Sequence, residues 1–432
     1  MEESYSKASV STTAAPRQSL FLAYIICGLA ALFYVYDYFI QVAPSVFTHD
    51  LMKTFAIDSA GLGILSACFY YSYTLMQIPA GLLIDRFGAR KLLTFAVLVS
   101  AVGVTIFGYT HSFFMAGSGR FLIGLGSSFA FISALFLIAR WFPHHYFVTM
   151  AGMVQFAGAV GSLIGLAPFA SLINTMGWRK AMIITGILTF FMALIFWLVI
   201  RDGKRTEKSN SSTIFNEWHR LRIILGSGQM WWISICGFMS WVPVAAVGAL
   251  WGVPYLMKIY GWNNTTAGEW CSLFWIGLAL GSPLMGWWTM RQKRRLPSLY
   301  WCFLIGIVSA FMVVYASSLS PVLLGIALFG LGWSCSVQSL SFGLLKDTLP
   351  AAVFGTASGF NNMAAILGGG LAQTSIGYTL HWLWNGAKID NIPTYSIGDY
   401  QIAFAILPAA AIIGFIVSVF LIRESYCKDF EA

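Results

Sequence analysis

The sequence predicts an all-α polytopic membrane protein with twelve transmembrane helices in two pseudo-symmetric six-helix bundles. Three observations predict this fold: the composition, the number and length of the apolar stretches, and a pattern that repeats between the halves. Of the 432 residues, 58% are hydrophobic and only 9% are charged, whereas soluble domains carry about 25% charged residues. A composition this apolar excludes an ordinary soluble protein.

Twelve stretches are long enough to cross a bilayer, since a helix needs about 20 apolar residues to span the hydrocarbon layer. The predicted spans are residues 20–44, 59–83, 91–109, 113–140, 147–173, 180–200, 231–257, 265–289, 297–317, 320–345, 354–376 and 399–422. We therefore expect a polar tail, a first bundle, a linker, a second bundle and a short tail at residues 1–19, 20–200, 201–230, 231–423 and 424–432.

The basic residues indicate the orientation of the spans. With the N-terminus in the cytoplasm, the inside segments hold 19 Lys and Arg residues and the outside loops hold five. This bias fits the positive-inside rule with both termini cytoplasmic. The net charge of +9 is scattered between apolar stretches, so it favours a lipid bilayer rather than a nucleic acid as the partner.

The two halves repeat each other at an almost constant offset. Gly124-Leu125-Gly126 in span 4 recurs as Gly330-Leu331-Gly332 in span 10. In spans 5 and 11 the matching pairs are Phe147 and Phe354, Gly152 and Gly359, Gln155 and Asn362, and Gly161 and Gly368. Several matches in one order indicate duplication, and halves of this kind place a binding site at their interface near the midplane.

The loop after span 2 carries the most specific motif. It reads Gly81-Leu-Leu-Ile-Asp85-Arg86-Phe-Gly88-Ala-Arg90-Lys91 and resembles the signature loop of the major facilitator superfamily. The resemblance covers essentially the whole chain and implies a transporter of that fold, with Gly81, Asp85, Arg86, Gly88 and Arg90 as a conformational latch. Glycine at Gly81 suits close helix approach and glycine at Gly88 suits a tight turn.

Two further stretches refine the resemblance. Residues 36–44 and 77–81 are similar to a bacterial nutrient-uptake subgroup, which includes phagosomal amino-acid and nucleoside transporters, and this implies a bacterial inner membrane. The second-half copy of the signature loop is degenerate, because Met290 stands where the acid would be and Lys293 where the second glycine would be. Latching is therefore expected to depend on the first half.

Asp37 and Arg120 are ionisable residues well inside predicted spans. Each would cost about 2.5–3.5 kcal/mol near a helix centre if it stayed unpaired, so such residues face a cavity or a partner. Both lie seven residues from the predicted outer ends of spans 1 and 4. We expect them to pair or face each other and to couple substrate to protons; the alternative is a static salt bridge. Glu269 follows Thr266 at capping-box spacing and is expected to cap span 8.

Polar and aromatic residues inside spans are candidates for a cavity wall. Tyr34 and Gln41 share a helix face with Asp37 because their spacing is helical. The alternative for each polar residue is a bond to a neighbouring helix. The predicted lining residues are Tyr34, Tyr38, Gln41, Tyr70, Gln77, Gln155, Trp251, Tyr255, Gln338, Asn361 and Asn362.

Together these features predict a secondary active transporter for a small organic solute, working by alternating access. One acid and one base favour an amino acid or short peptide, with an organic acid second. No nucleotide, metal or other cofactor motif is present, so we expect uptake driven by a proton gradient. We also expect the protein to be a monomer. Proton-coupled efflux of drugs or metabolites and a polytopic membrane enzyme are the alternatives. The sequence does not fix the substrate, the direction, the coupling ion or the role of residues 377–398.

Overall fold

The helices of the computed structural model account for all twelve predicted spans. The structure describes residues 20–142, 146–202, 222–316, 319–350, 353–389 and 391–427. Spans 1 to 6 are Leu20–Val42, Ser59–Phe87, Ala89–Tyr109, Phe113–Ser127 with Ala130–Trp141, Phe147–Gly165 with Ala167–Met176, and Trp178–Val199. Spans 7 to 12 are Gly228–Pro243 with Val244–Trp251 and Gly252–Tyr260, Asn264–Gln292, Leu296–Tyr315, Pro321–Ser334 with Val337–Thr348, Phe354–Leu383, and Ile397–Ala403 with Ile406–Phe420.

Short elements connect some of the spans. A 3-10 turn, Ala43–Phe47, and a helix, Thr48–Phe55, follow span 1. Strands Lys388–Ile389 and Ile392–Pro393 pair antiparallel between spans 11 and 12. These elements lie at the end of the bundle opposite to the start of span 1 and the end of span 12. We call the end with Leu20 and Phe420 the terminus face, and the opposite end the far face.

Side-chain caps fix where several helices begin. The Asp58 carboxylate accepts a hydrogen bond from Gly61 N at 2.9 Å and starts span 2. The Asn263 side chain accepts from Thr266 N at 2.8 Å and starts span 8. The prediction that Glu269 caps span 8 is therefore wrong. It required Thr266 to be the N-cap, but Asn263 is the N-cap and the helix already begins at Asn264.

The repeated Gly-Leu-Gly motifs precede a break in spans 4 and 10. A Cβ on Gly124 would lie 2.1 Å from the carbonyl oxygen of Phe69 in span 2. A Cβ on Gly332 would lie 1.8 Å from the carbonyl oxygen of Phe274 in span 8. Only glycine permits such close backbone approach, so each motif packs the fourth helix of its half against the second.

The apolar core is shared at the far face and divided at the terminus face. One cluster joins both halves and includes Phe47 and Phe169 with Trp251 and Phe404. A second cluster, around Phe33 and Phe196, belongs to the first half alone, and a third belongs to the second half alone. The halves are therefore closed together at the far face and separated toward the terminus face.

Spans 2 and 11 form the longest contact between the halves. Within the described residues, ten helical segments are apolar enough to cross a membrane by composition, and these two helices, of 29 and 30 residues, are not among them. Some of their polar side chains bond across the interface between the halves. For example, the Tyr71 and Thr374 hydroxyl oxygens are 2.9 Å apart.

Candidate functional site

A cavity of about 330 Å³ lies between the halves on the terminus side of the shared core. Its volume falls in the range of small-molecule sites. Five residues predicted as lining are part of its wall: Tyr34, Tyr38, Gln155, Gln338 and Asn362. Of the wall residues in the described part of the chain, none is charged. The cavity thus offers aromatic surface and neutral hydrogen-bonding groups.

In the first half, three wall residues form one hydrogen-bonded group. The Tyr34 hydroxyl donates to Gln155 Oε1 at 2.7 Å, and the Tyr34 and Tyr38 hydroxyl oxygens are 3.2 Å apart. Gly158 makes this possible, because a Cβ there would lie 2.8 Å from the Tyr34 ring. Spans 1 and 5 are therefore joined along the cavity wall.

A chain of amides continues across the interface between the halves. Asn362 Nδ2 donates to Gln77 Oε1 at 2.7 Å, and Gln338 Nε2 donates to Asn362 Oδ1 at 3.5 Å. Gln77 thus contacts the second half without being part of the cavity wall. Asn361 is fully buried and donates to Ser341 Oγ at 2.8 Å. Of the two adjacent asparagines, Asn362 faces the cavity and Asn361 binds its neighbour.

Aromatic residues that the sequence analysis did not select close the cavity toward the far face. The Tyr38 and Trp275 rings meet edge to face with centroids 5.6 Å apart, and Trp241 lines the same end. Phe131, Phe156, Ser282 and Phe342 complete much of the wall. A Trp or Phe in a span can face lipid as easily as a cavity, so composition alone did not single these residues out.

Besides Gln77 and Asn361, four more predicted lining residues lie outside the cavity wall: Gln41, Tyr70, Trp251 and Tyr255. Gln41 Nε2 donates to the Tyr70 hydroxyl at 2.8 Å, which links spans 1 and 2 in the shared core. Trp251 Nε1 donates to the Gln373 carbonyl oxygen at 3.2 Å. The Tyr255 hydroxyl donates at 2.7 Å to the carbonyl oxygen of Val313. These residues therefore follow the alternative given in the sequence analysis: each bonds to a neighbouring helix instead of lining the cavity.

Asp37 and Arg120 are both buried behind the wall, with 1% of each residue exposed. Among the residues that the structure describes, no ion pair joins them. Arg120 Nη1 donates to the Ile40 carbonyl oxygen at 3.0 Å, and its guanidinium lies 5.2 Å from the centroid of the Phe69 ring. Arg120 Nε, Arg120 Nη2 and Asp37 Oδ1 have no hydrogen-bond partner within the described protein. Both ends of the predicted pair therefore have unused bonding capacity.

The signature loop makes its described contacts within the first half. Gly88 has φ 78° and ψ 162°, and Arg90 N donates to Asp202 Oδ1 at 2.9 Å. Arg90 Nε donates to the Trp197 carbonyl oxygen at 2.9 Å, and Arg86 lies over the Phe87 ring. The Asp85 side chain lies outside what the structure describes. A Cβ on Gly81 would meet no atom within 4 Å, so the close helix approach expected there is not made.

Comparison with known proteins agrees with this architecture. The family model of the Major Facilitator Superfamily matches residues 20–373 and 233–428. The probable galactarate/D-glucarate transporter GudP of Escherichia coli is 22% identical over 410 residues, which cover 82% of this chain and 86% of GudP. The probable sulfoacetate transporter SauU of Cupriavidus necator is 21% identical over 436 residues, which cover 94% of this chain and 95% of SauU.

A solved structure, that of a D-xylose-proton symporter, has the same fold. It superposes with a TM-score of 0.71 at 18% identity and covers 96% of this chain and all of that chain. Twelve spans in two halves, a cavity between them and a family model that matches almost the whole chain agree with one another. This chain is an integral membrane transporter and belongs to the major facilitator superfamily.

Proposed function

We propose that this chain takes up a small organic anion by proton symport, with Arg120 as the counter-charge of the anion and Asp37 as the group that carries the proton. The observation that supports this most is the pair of buried charges with unused hydrogen-bonding atoms. A buried charged group whose hydrogen bonds are only partly made is costly. The unused atoms of each side chain are therefore expected to gain partners at another stage of the transport cycle.

The chemistry of Arg120 favours a carboxylate. Two guanidinium nitrogens, Nε and Nη2, are unused, and a guanidinium fork matches the two oxygens of a carboxylate. The relatives reported above are named for galactarate, D-glucarate and sulfoacetate, all of which are organic anions. Neither relative is named for an amino acid or a peptide, so we do not carry that first expectation forward. Hydroxyl groups of a sugar acid would suit the amides and tyrosines of the cavity.

Coupling follows from the two charges sharing one buried region. If Asp37 is ionised, it competes with the substrate carboxylate for Arg120, because both are anions. Protonation of Asp37 removes that competition and favours substrate binding. Proton and anion would then cross together, and release of the proton on the other side would expel the anion.

The proposed orientation puts the terminus face in the cytoplasm of a bacterial inner membrane, as the excess of basic residues on that side favours. The structure then corresponds to an inward-open state, since the cavity lies on the terminus side of the shared core. The halves at 20–200 and 231–423 would rock about the interface of spans 2 and 11 to open the far face. We propose a monomer as the working unit.

Flux into proteoliposomes tests the proposal. Galactarate, D-glucarate and sulfoacetate are supplied outside, with leucine and a dipeptide for comparison, and a proton gradient is imposed. We expect gradient-driven accumulation of at least one anion. Asp37→Asn is expected to abolish accumulation but retain exchange, and Arg120→Lys is expected to weaken both more than tenfold. Asp399→Asn, a carboxylate at the far face, serves as control and should behave as the parent does.

Other outcomes have clear meanings. Full accumulation by Asp37→Asn would remove Asp37 from the coupling. Accumulation of leucine or the dipeptide, with no anion carried, would restore the amino-acid interpretation. Proton-driven export of a preloaded solute, with no uptake, would favour the efflux alternative.

A further inference from the structure

The start of span 2 and the segment after span 11 meet at the far face in a small polar cluster. It consists of Asp58 and Ser59 from the first half with Gly377, His381 and Tyr395 from the second. We call these five residues the far-face clasp. The sequence analysis found no role for residues 377–398, which contain three of them.

Three bonds of the clasp cross between the halves. His381 Nδ1 and Asp58 Oδ2 form an ion-pair contact at 2.5 Å. The Tyr395 hydroxyl accepts a hydrogen bond from Ser59 N at 3.0 Å, and Ser59 Oγ donates to the Gly377 carbonyl oxygen at 2.8 Å. Opening of the far face separates the halves there, so it must break all three.

Asp58 serves two partners with its two oxygens. Oδ1 caps span 2 by accepting from Gly61 N, and Oδ2 faces His381. The contact with the imidazole therefore holds span 11 against a helix start that is itself fixed. The two side chains are 30% and 44% exposed, so protons from the far-face solution reach them.

We propose that the Asp58–His381 pair is a pH-sensitive clasp that favours the closed far face when the imidazole is protonated. Histidine is the side chain whose charge normally changes between pH 5 and 8. The imidazolium attracts the Asp58 carboxylate, whereas the neutral ring offers at most a hydrogen bond. Acid at the far face should therefore stabilise closure, and this should be lost as the pH rises.

Other titratable and charged groups lie near the clasp. Burial raises the pKa of Tyr395, so its hydroxyl stays protonated throughout this range. Asp399 accepts from Ser396 N at 2.7 Å in a capping box, and Lys388 lies over the Trp384 ring. The helix Thr48–Phe55 packs on the hairpin and carries the ionisable residues His49, Asp50 and Lys53.

Distances between spin labels at the far face test the clasp without any substrate. Labels are placed at exposed Thr175 in the first half and Ala387 in the second, in a full-length chain whose seven cysteines are replaced, reconstituted in lipid. From pH 5 to pH 8 the ratio of open to closed far face is expected to rise about two- to five-fold, the effect of a partly exposed ion pair.

Variants assign the effect to the pair. His381→Gln is expected to show the high-pH distribution at every pH. Asp58→Asn keeps the helix cap and should also lose the pH dependence, which separates the clasp from folding of span 2. His49→Gln, another exposed far-face histidine, should retain it. A pH-independent distribution in the parent, or a pH dependence that persists in both His381→Gln and Asp58→Asn, would overturn the proposal.

Discussion

Gly88 and Gly177 occupy almost the same backbone conformation, with φ and ψ of 78° and 162° at Gly88 and of 81° and 150° at Gly177. Each stands directly before a helix, span 3 or span 6. A positive φ in this region strains any residue with a Cβ. The two sites differ in their surroundings. A Cβ on Gly88 would lie 2.8 Å from an Asp202 carboxylate oxygen, whereas a Cβ on Gly177 would meet no atom within 4 Å.

The pair of glycines yields a matched prediction. Gly177→Ala should destabilise the protein by the backbone strain alone, about 1–3 kcal/mol. Gly88→Ala should cost more, because it also displaces the carboxylate that binds Arg90 N. Thermal unfolding in detergent measures both, and equal losses would show that the contact with Asp202 contributes nothing. Gly88→Ala combined with Asp202→Ala should retain the backbone strain at residue 88 but lose the steric overlap between the new Cβ and the carboxylate.

Helical spacing predicts only part of the cavity wall. Tyr34 lies in the wall, whereas Gln41, on the same predicted helix face, bonds to Tyr70 in the shared core. Trp251 is the last residue of the π-helical segment Val244–Trp251, and Tyr255 follows that segment. A π turn changes the residue count per turn and so rotates every later side chain. No sequence period shows that rotation, and the two aromatics bind backbone carbonyls instead of facing the cavity.

Spans 2 and 11 depend on glycine at the level of the whole element. A Cβ on Gly377 would lie 2.4 Å from the Ser59 carbonyl oxygen, and a Cβ on Gly63 would lie 2.7 Å from that of Gln373. Both contacts are near the far face. Toward the terminus face the same interface is looser, since a Cβ on Gly359 would lie 3.6 Å from the Gln77 carbonyl oxygen. Closure of the far face therefore needs small residues in the part of the span 2–span 11 interface that lies near the far face.

Gly377→Ala is expected to hold the far face apart and shift the protein away from the closed arrangement. The spin-label distance between Thr175 and Ala387 should lengthen, and transport should slow by more than tenfold, because the cycle cannot complete. Gly359→Ala in the same helix is the control and should change neither. An unchanged distance in Gly377→Ala would mean that the neighbouring backbone yields without opening the interface.

At the scale of the molecule, the twelve spans could be predicted because the bilayer requires long apolar helices whatever the solute. The repeat at Gly124 and Gly330 likewise predicted paired halves. The separation of the halves at the terminus face could not be predicted, since one sequence must be compatible with both open and closed arrangements. The cavity wall shares this limit, because Trp275 and Trp241 become wall residues only in a particular arrangement of the halves.

The second half has no acidic residue in its copy of the signature loop, but Glu424, an acidic residue beyond its last span, binds the start of span 9, which directly follows that loop. Glu424 Oε1 accepts from Arg295 N at 2.8 Å and Oε2 accepts from Leu296 N at 3.1 Å, at the start of span 9. Asp202, beyond the last span of the first half, accepts from Arg90 N at the start of span 3. Each half thus ends in an acid that binds the first turn of its third helix.

An ion pair supports this second-half site. Arg295 Nη2 donates to Asp347 Oδ1 at 3.1 Å, and Arg295 Nε contacts the other carboxylate oxygen. Burial lowers the pKa of Arg295, but the bonds and charge of Asp347 more than offset it, so the net pKa is raised. The Ser425 hydroxyl donates to Asp347 Oδ2 at 2.7 Å, which fixes the chain after span 12 against span 10.

Glu424→Gln should therefore lower the stability of the whole second half. The Glu424 side chain is only 9% exposed, and a hydrogen bond to a charged group contributes about 1.5–3 kcal/mol, so we expect a loss of about that size and a lower Tm in detergent. Glu269→Gln changes an exposed glutamate at the start of span 8 and is the control, with no expected change. If Glu424→Gln left the Tm unchanged while Asp202→Asn lowered it, the two acids would not be equivalent, and the second half would be held at this face by Arg295 and Asp347 alone.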